Sequence, residues 1–521
     1  MKWWVLPPHR DVTLVPETPE GWHGLDLARG FVRRVFSAES VEAEAQAREL
    51  SPPTPQSMRE LLLLRVAQGI RGRGTVAELR AMGAVLTALS GPPHGIRLRL
   101  DDVELEEGTT ERGADVERAA ARSAPYSPEV ARFAEQVAGA ECVRLWLERD
   151  LQLPAAVALA HACPAQVALE IAGPFATTHR EVLARMAAFR RATFPENVSP
   201  LCWRMAPLDA EPSPGQVVWI PDGQRLDSRE DGADTLARLR ALTGGARWAG
   251  HVSLHLLGTP ESLVESGCDT AVVEFCAVGV DHVVDIDHRS IPREWLHRGF
   301  QRLRAAGVRV VAEWWVGAPG MDESLLDASL AALDDSSTAF FDRLAGVRPF
   351  HLSVERMARH GDVARSWGVP GERPPDRDLC RSVPISRPGT IPATRLQEVL
   401  GALAGRLSNR APLSPGRVAA AFLGAPASAP EGGPATHLRL DPGCAVVRLP
   451  ASLEGGPVPS WYAANLRTGV VLAMDGRLAP ELARRTVAAP VADVLSMVPE
   501  ARRAKWEETL VSKSILERTR G

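Results

Sequence analysis

Lysine is almost missing from the interior of this 521-residue sequence, whose three lysines are Lys2, Lys505 and Lys513. A lysine amine is needed for Schiff bases with pyridoxal phosphate or carbonyl substrates, and the GxxxxGK[ST] phosphate loop also requires one. The sequence therefore argues against pyridoxal-phosphate and lysine-aldolase chemistry, and it contains no phosphate loop of this type.

Cysteine is sparse and irregularly spaced. The seven cysteines stand at positions 142, 163, 202, 268, 276, 380 and 444. An odd number without regular spacing in a long chain argues against a disulfide framework. Cys268 and Cys276 are eight positions apart, which matches no zinc or redox motif. We therefore expect reduced thiols, most of them packed in cores.

A strong excess of charge and long apolar runs are also absent. The formal net charge is −4, which provides no basic field for nucleic acid. No stretch reaches the ~18 apolar residues of a membrane helix, and the start, MKWWVLPPHRDV, lacks a signal-peptide core. We expect a cytoplasmic protein of three or four domains, with neither nucleic acid nor membrane as a partner.

From residue 141 the sequence predicts a βαβα unit. CVRLWLE indicates a strand, LPAAVALAHAC a helix, QVALEIAG a second strand and TTHREVLARMAAFRRA a second helix. Short apolar strands that alternate with helices favour a parallel sheet covered by helices.

A second alternating series predicts a complete or partial β/α barrel. Its strands are expected near Val217, at HVSLHLLG from 251, AVVEFCAVG from 271, VRVVAEWWVG from 308 and RPFHLSVE from 348. The segment from 292 to 307 begins with Pro and ends with Gly, as helices do.

The remaining segments complete an α/β fold class with a small α+β domain at the end. The predicted division is 1–125 of unclear fold, 126–200 as an α/β domain, 201–382 as the barrel, 383–439 as a linker with the helix LQEVLGALAGRL, and 440–521 as the small domain. Strands CAVVRLP and NLRTGVVLAM, a turn at Asp475 and Gly476, and two or three short helices are expected in the last domain.

The segment LEIAGPFATTHREVL resembles the latter part of the cobalamin-binding domain attached to radical S-adenosylmethionine (SAM) enzymes. A glycine turn at the carboxyl end of a strand lets a ligand approach the backbone and the next helix. The resemblance implies that Gly173 and Thr177 lie at a cofactor pocket.

Residues 250–353 resemble the second half of a radical SAM barrel, through LVESGCDTAVVEF and LHRGFQRLRAAGVRVVAEWWVGAPG. The resemblance implies that Glu313, Gly317 and Pro319 lie near a SAM pocket. However, the CxxxCxxC motif that holds the iron-sulfur cluster of this family is missing, and Cys202 alone stands near its expected place. We therefore expect no iron-sulfur cluster and no reductive cleavage of SAM.

Residues 441–515 resemble the peptide-recognition domain of ribosomal-peptide (RiPP) pathways, a relative of the pyrroloquinoline quinone peptide chaperone. In that family a leader peptide adds to the sheet as an edge strand. The resemblance implies that VVRLP and LRTGVVLAM form the sheet, and that a precursor peptide is a partner.

Histidines and acidic residues near the predicted strand ends could hold zinc, iron or manganese. The candidate ligands are His251, His255, Glu274 and His351, and Glu313 also lies near a predicted strand end. The favoured interpretation is that these side chains are hydrogen-bonded histidines and solvated carboxylates. Similarly, DHVVDIDH would align Asp281, Asp285 and Asp287 as a strand, but a solvated loop is favoured.

The favoured function is that of a catalytically degenerate, radical-SAM-like protein of RiPP biosynthesis. It would bind precursor peptide or an active radical SAM enzyme, and no bound cofactor is expected. The first alternative is a cluster-free enzyme that uses SAM, or a metal held by histidines and carboxylates, with cobalamin as another ligand of a retained pocket. The second is a radical SAM enzyme with non-standard cluster ligands.

Overall fold

The computed structural model describes most of the chain. The described residues are 1–89, 95–100, 102–121, 124–196, 203–206, 208, 216–220, 239–241, 243–334, 339–359, 361–369, 374, 376–383, 391–392, 394–396, 398–399, 437–450 and 460–519. Cys202 and most of the predicted linker at 383–439, including most of its predicted helix, lie outside these residues.

The secondary structure alternates between strands and helices along most of the chain. The strands are β1 (Lys2–Leu6), β2 (Leu14–Pro16), β3 (His23–Asp26), β4 (Ile96–Leu98), β5 (Val103–Leu105), β6 (Cys142–Trp146), β7 (Ala168–Ala172), β8 (Trp203–Met205), β9 (Val218–Ile220), β10 (Trp248–His251), β11 (Cys268–Val278), β12 (His282–Asp285), β13 (Ser290–Pro292), β14 (Arg309–Val316), β15 (Arg343–Pro349), β16 (Leu352–Ser353), β17 (Ser382–Val383), β18 (His437–Leu440), β19 (Cys444–Leu449), β20 (Ser460–Asn465), β21 (Val471–Met474), β22 (Ala489–Pro490) and β23 (Leu516–Thr519). The helices are α1 (Leu27–Val35), α2 (Ala38–Leu50), α3 (Pro55–Ile70), α4 (Thr75–Leu89), α5 (Gly113–Ala120), α6 (Ser127–Val137), α7 (Leu153–Ala162), α8 (Pro174–Thr178), α9 (Arg180–Leu183), α10 (Glu261–Glu265), α11 (Arg293–Ala305), α12 (Glu323–Asp334), α13 (Val354–Arg359), α14 (Gly361–Ser366), α15 (Ala479–Ala483), α16 (Val491–Val494) and α17 (Glu500–Ser512).

The chain forms two compact units, each built from two separate parts of the sequence. Unit 1 contains residues 1–31 and 104–420, and unit 2 contains residues 32–103 and 421–521. Unit 2 therefore joins segments that the sequence analysis assigned to separate regions, 1–125 and 440–521. No helix in the described part of either unit is long and apolar enough to cross a bilayer.

Unit 1 contains a four-stranded parallel sheet with the order β3-β1-β6-β7. The parallel pair β6 and β7, with α7 between them, confirms the predicted βαβ arrangement. The first two strands come from the N-terminal region whose fold the sequence did not reveal. The second helix predicted at 177–192 does not form as one helix: α8 ends at Thr178, His179 has a non-helical ψ of 20°, α9 ends at Leu183, and a 3₁₀ turn follows at Ala187–Phe189.

Unit 1 also contains a nine-stranded mixed sheet. Its strands β9, β10, β11, β14 and β15 are parallel and neighbour one another in chain order, while β2 and β8 add antiparallel pairs at one end. Strand β11 also carries the antiparallel hairpin of β12 and β13. No pairing between β2 and β15 closes the sheet among the described strands. The fold class is thus mixed α/β with parallel sheets.

Two segments of this series differ from their predicted structure. The segment 251–258 was expected to be a strand, but β10 ends at His251 and Leu254–Gly258 is a 3₁₀ helix. Leu254 and Leu257 are both fully buried, and their spacing of three residues suits a 3₁₀ turn better than a strand. The strand expected from 348 is in fact β15, which begins at Arg343 and ends at Pro349.

The acidic segment DHVVDIDH was expected to be a solvated loop, and this prediction is wrong. The segment forms β12 and the turn into β13. Asp285 is fully buried. The cost of burying its carboxylate is offset by hydrogen bonds from the backbone N–H groups of Asp287 and Arg289, at 3.0 and 2.8 Å. The carboxylate thereby fixes the turn, a role that hydropathy alone does not reveal.

Unit 2 combines a helical hairpin layer with two small antiparallel sheets. The sheets have the orders β22-β18-β23 and β19-β20-β21, and α15, α16 and α17 follow β21 in the chain. Helix α3 packs on β19 so closely that a Cβ atom at Gly69 would lie 2.7 Å from the Cβ of Ala445. Glycine therefore sets the distance between this helix and the sheet.

Candidate functional site

Three polar side chains meet on the parallel strands β10, β11 and β14, in the carboxyl-terminal half of each strand. His251 is the last residue of β10, while Glu274 on β11 and Glu313 on β14 are direct partners in the strand register. Parallel pairing brings equivalent strand ends together, and the period of two turns these side chains to the same face. This group is called the His251 edge below.

The three side chains of the His251 edge are close together and buried. His251, Glu274 and Glu313 retain only 6%, 7% and 1% of their surface. One potential ligand atom from each residue lies within 4.8 Å of the others, and His251 Nε2 is 4.0 Å from Glu313 Oε2. The site thus brings an imidazole and two carboxylates around one point.

Two arginines approach the carboxylates from outside this group. Arg356 Nη2 donates to Glu274 Oε2 at 2.8 Å, and Arg348 Nη2 lies 3.5 Å from Glu313 Oε1. Arg356 also lies 4.0 Å from Asp287 Oδ1. The arginines therefore orient the carboxylates and reduce the repulsion between them.

A third arginine, Arg289, adds hydrogen bonds to two aspartates and a serine beside these contacts. Arg289 Nε donates to Asp285 Oδ2 at 2.8 Å, and Arg289 Nη2 donates to Asp287 Oδ2 at 2.6 Å and to Ser253 Oγ at 2.9 Å. Ser253 follows β10 by two residues and is fully buried. The β12–β13 hairpin is thus tied to the His251 edge by charge-assisted hydrogen bonds.

Of the four predicted metal ligands, the structure brings His251 and Glu274 together and places the other two outside the group. The imidazole of His255 lies in the 3₁₀ helix with its ring 4.7 Å from that of Trp295. The ring of His351 is 4.7 Å from that of Trp315. Glu313, implied as a cofactor residue by the resemblance, takes the third place in the cluster.

The environment of His351 disfavours its charged form. Burial, together with the nearby guanidinium groups of Arg381 and Arg348, lowers the pKa of His351 to about 4, although the backbone carbonyl of Pro349 and the carboxylate of Glu274 oppose this. The imidazole is therefore neutral at physiological pH. Its Nδ1 lies 3.3 Å from that carbonyl oxygen.

The predicted cofactor residues outside the cluster occupy turns. Gly317 follows β14 with a φ of +84°, and Pro319 is half-buried in the same turn. Gly173 has a φ of +108°, and a Cβ atom there would lie 2.3 Å from the carbonyl oxygen of Leu147. The hydroxyl of Thr177 donates back to the carbonyl of Gly173 at 3.0 Å. The glycine is thus required by a close backbone approach within the protein itself.

A second charged group, not identified from the sequence, lies at the carboxyl ends of β1, β3 and β6. Arg10 is fully buried, with Nε 3.2 Å from Glu148 Oε1 and Nη1 3.6 Å from Asp26 Oδ2. Its Nη2 donates to the carbonyl of Leu14 at 2.6 Å, and the guanidinium lies over the ring of Trp203. This group is called the Arg10 edge below.

The Arg10 edge has one signal in the sequence. Charged residues follow the apolar run WWVLPP directly, and a parallel strand of unit 1 ends there. Burial raises the pKa of Glu148, and the guanidinium of Arg10 opposes this effect. An apolar segment followed by a buried cation indicates a strand end, but the acidic partners come from positions 16 and 138 residues away.

The described cysteines do not form a cluster site. All six are free and buried, and burial raises the pKa of Cys142 to about 11 and that of Cys444 to about 12. Burial also raises the pKa values of Cys163, Cys268 and Cys276. The group of potential metal ligands found among the described residues contains no cysteine, and these buried thiols are packed core groups.

Comparison of the chain with protein-family models, curated proteins and solved structures finds no match in any of the three.

Proposed function

We propose that this protein acts in ribosomal-peptide modification by binding a precursor peptide, without radical SAM chemistry of its own. The observation that carries this proposal is the edge strand β21 in unit 2. Within the described residues, β21 pairs with β20 alone, so one side of its backbone offers donors and acceptors to an added strand.

The direction of these backbone groups follows from the hairpin. The N–H of Asn465 donates to the carbonyl of Val470 at 2.9 Å, and the register continues with Ala464 opposite Val471 and Tyr462 opposite Ala473. Hydrogen-bonded and non-hydrogen-bonded pairs alternate in an antiparallel ladder. The N–H groups of Val471 and Ala473 therefore point away from β20, toward the edge.

The side chains along β21 suit an edge that receives a peptide. Val471 and Ala473 are exposed, whereas Met474 is buried in the core of unit 2. Val471 exposes 51% of its surface. An incoming extended peptide would gain main-chain hydrogen bonds from the edge and apolar contact from the exposed valine.

Several features of unit 1 support the remainder of the proposal. The order β3-β1-β6-β7 is that of a doubly wound sheet, as in the cobalamin-binding domain that the sequence resembles. The parallel strands β9, β10, β11, β14 and β15 follow chain order, as in a partial β/α barrel of radical SAM type. The missing CxxxCxxC motif argues that such a barrel no longer carries a cluster.

A synthetic leader segment of a precursor peptide encoded beside this gene tests the proposal. Fluorescence anisotropy of the labelled leader with the full chain should show saturable binding. Ala473→Pro removes one outward N–H while leaving the pairing with β20 intact, and edge strands tolerate proline at such positions. We expect a loss of affinity of at least about tenfold, the equivalent of one main-chain hydrogen bond of about 1.4 kcal/mol.

Ala473→Val is the matched control, because it keeps the N–H and suits a strand. We expect its affinity to remain within about threefold of the wild type. Hydrogen exchange of the full chain with bound leader should slow at residues 471–474 and leave β19 unchanged. Equal affinity of the proline and valine variants, or no binding at millimolar peptide, would disprove recognition through β21.

A further inference from the structure

We propose that His251, Glu274 and Glu313 form a binding site for one divalent ion of a first-row transition metal. The inference concerns unit 1 and is independent of the peptide recognition proposed for unit 2. It replaces the ligand set predicted from the sequence, because His255 and His351 lie outside the cluster and Glu313 lies within it.

The spacing of the ligand atoms fits one ion. Metal–nitrogen and metal–oxygen bonds of this class are about 2.0–2.2 Å, so two ligands of one ion lie about 3–4.2 Å apart. His251 Nε2 and Glu313 Oε2 are 4.0 Å apart, and the whole group lies within 4.8 Å. The three side chains lie on adjacent strands, since His251 pairs with Val272, two residues before Glu274, and Glu274 pairs with Glu313.

The ligand types indicate the class of ion. One imidazole and two carboxylates suit Zn²⁺, Mn²⁺ or Fe²⁺, whereas Mg²⁺ and Ca²⁺ prefer oxygen ligands alone. Three protein ligands also leave at least one coordination position open, as in catalytic rather than structural zinc sites. The site would therefore present a bound water or a substrate oxygen at the carboxyl edge of the parallel strands.

The arginines around the site have the role of outer partners. Ligating carboxylates are usually held by further hydrogen bonds, and Arg356 at 2.8 Å holds Glu274 in this way. The ionic contacts at this edge join four carboxylates (Glu274, Asp285, Asp287 and Glu313) to three guanidinium groups (Arg289, Arg348 and Arg356). These contacts hold the carboxylates in fixed orientations, as the outer partners of metal ligands do.

A direct test is calorimetric titration of the chelator-treated full chain with Zn²⁺ and with Mn²⁺. We expect one ion per chain, with binding weakened at least tenfold in His251→Ala and in Glu313→Gln, because each removes a ligand. Mg²⁺ at equal concentration should not compete. Failure of the wild type to bind Zn²⁺ or Mn²⁺ stoichiometrically, or equally tight binding of Mg²⁺, would overturn the assignment.

Matched control variants separate this site from adventitious binding by the other twelve of the chain's thirteen histidines. His255→Ala removes a nearby imidazole outside the cluster, and Glu294→Gln removes an exposed carboxylate of unit 1. Both should bind the metal within twofold of the wild type. If His255→Ala weakened binding as much as His251→Ala, the ligand set would be wrong.

A spectroscopic measurement needs no variant and remains decisive if a substitution prevents folding. Pulsed electron paramagnetic resonance of the Mn²⁺-loaded wild type should show coupling to the nitrogen of a single imidazole. Absence of this coupling would rule out the His251 site even if Mn²⁺ were bound. Binding of the leader peptide should be the same with and without the metal, so that either proposal can fail while the other stands.

Discussion

The two parallel edges of unit 1 use charge in opposite ways. At the Arg10 edge a guanidinium lies between two carboxylates, so the cation belongs to the protein. At the His251 edge the carboxylates face one another and an imidazole, while the guanidinium groups approach from outside. Carboxyl edges of parallel strands are the usual place for ligands, and at the second edge an imidazole and two carboxylates converge on one point.

This difference separates a structural charge cluster from a candidate site. Arg10 pairs with the carboxylates and also joins the four-stranded sheet of unit 1 to its nine-stranded sheet, because it reaches Leu14 on β2 and Trp203 on β8. Replacing it should therefore affect stability. Neutralising Glu313 at the His251 edge should affect metal binding instead, with little cost in the metal-free protein.

Arg10→Met gives the largest expected effect. The side chain of Arg10 is fully buried, and its removal leaves Asp26 and Glu148 without their cation. Breaking a buried ion pair costs about 3–5 kcal/mol, and we expect about 3 kcal/mol because the two carboxylates keep some contact with water. Urea denaturation followed by circular dichroism measures the loss.

Arg180→Met is the control for this substitution. Arg180 forms an ion pair with Glu196 at 2.8 Å, but both side chains are largely exposed, at 49% and 75%. Its loss should change the free energy of unfolding by less than about 0.5 kcal/mol. A cost below about 1 kcal/mol for Arg10→Met would mean that the Arg10 edge is not a structural cluster.

The pH dependence of stability gives a smaller effect, which arises at His351 near the His251 edge. The pKa of His351 is about 4 in the folded protein, compared with an ordinary value of 6.5. Between these values the unfolded chain binds the proton and the folded chain does not, so the contribution is complete above pH 6.5 and is lost as pH falls toward 4. We expect about 1.5 kcal/mol, roughly half the value for a fully buried imidazole, because His351 is partly exposed.

His351→Gln tests this effect, since glutamine does not titrate. The difference in unfolding free energy between wild type and variant should change by the stated amount between pH 7 and pH 4.5. Metal-free protein must be used, so that protonation of ligands does not contribute. A constant difference across this range would show that the surroundings of His351 do not suppress its charge.

The sequence predicted local elements well where apolar runs and helix punctuation agree. Strands β6, β7, β11, β14 and β19 and helix α11 lie where hydrophobic pattern, Pro and Gly placed them. These signals are local, because each depends on neighbouring residues within one element.

The rest depended on contacts between distant residues. Strands β1 and β3 belong to a sheet completed by β6 and β7 more than a hundred residues later, so no local pattern showed their partners. The His251 edge depends on the parallel register of Glu274 with Glu313, and on β10 ending at His251. An alternating pattern misplaced that strand end by several residues, which made His255 a false candidate.

Glu313→Gln in the metal-free protein gives the smallest expected change, and it sharpens the comparison most. Glu313 is 1% exposed and lies directly opposite Glu274 in the register. Like charges in this position destabilise a sheet, and burial of a carboxylate adds to the cost. The partner Arg348 is 3.5 Å away and 22% exposed, so water can solvate it when the charge is removed.

For this glutamine variant we therefore expect a free energy of unfolding equal to that of the wild type, or up to about 1 kcal/mol higher. Glu274→Gln is the matched comparison: it should cost about 1–2 kcal/mol, because Arg356 is less exposed and donates at 2.8 Å. Urea denaturation after chelator treatment measures both. If Glu313→Gln lowered the free energy of unfolding as much as Arg10→Met does, the Glu313 carboxylate would stabilise the fold, as Asp26 and Glu148 do through Arg10. The contrast between the two edges would then be lost, since a carboxylate held for stability gives no reason to expect a metal.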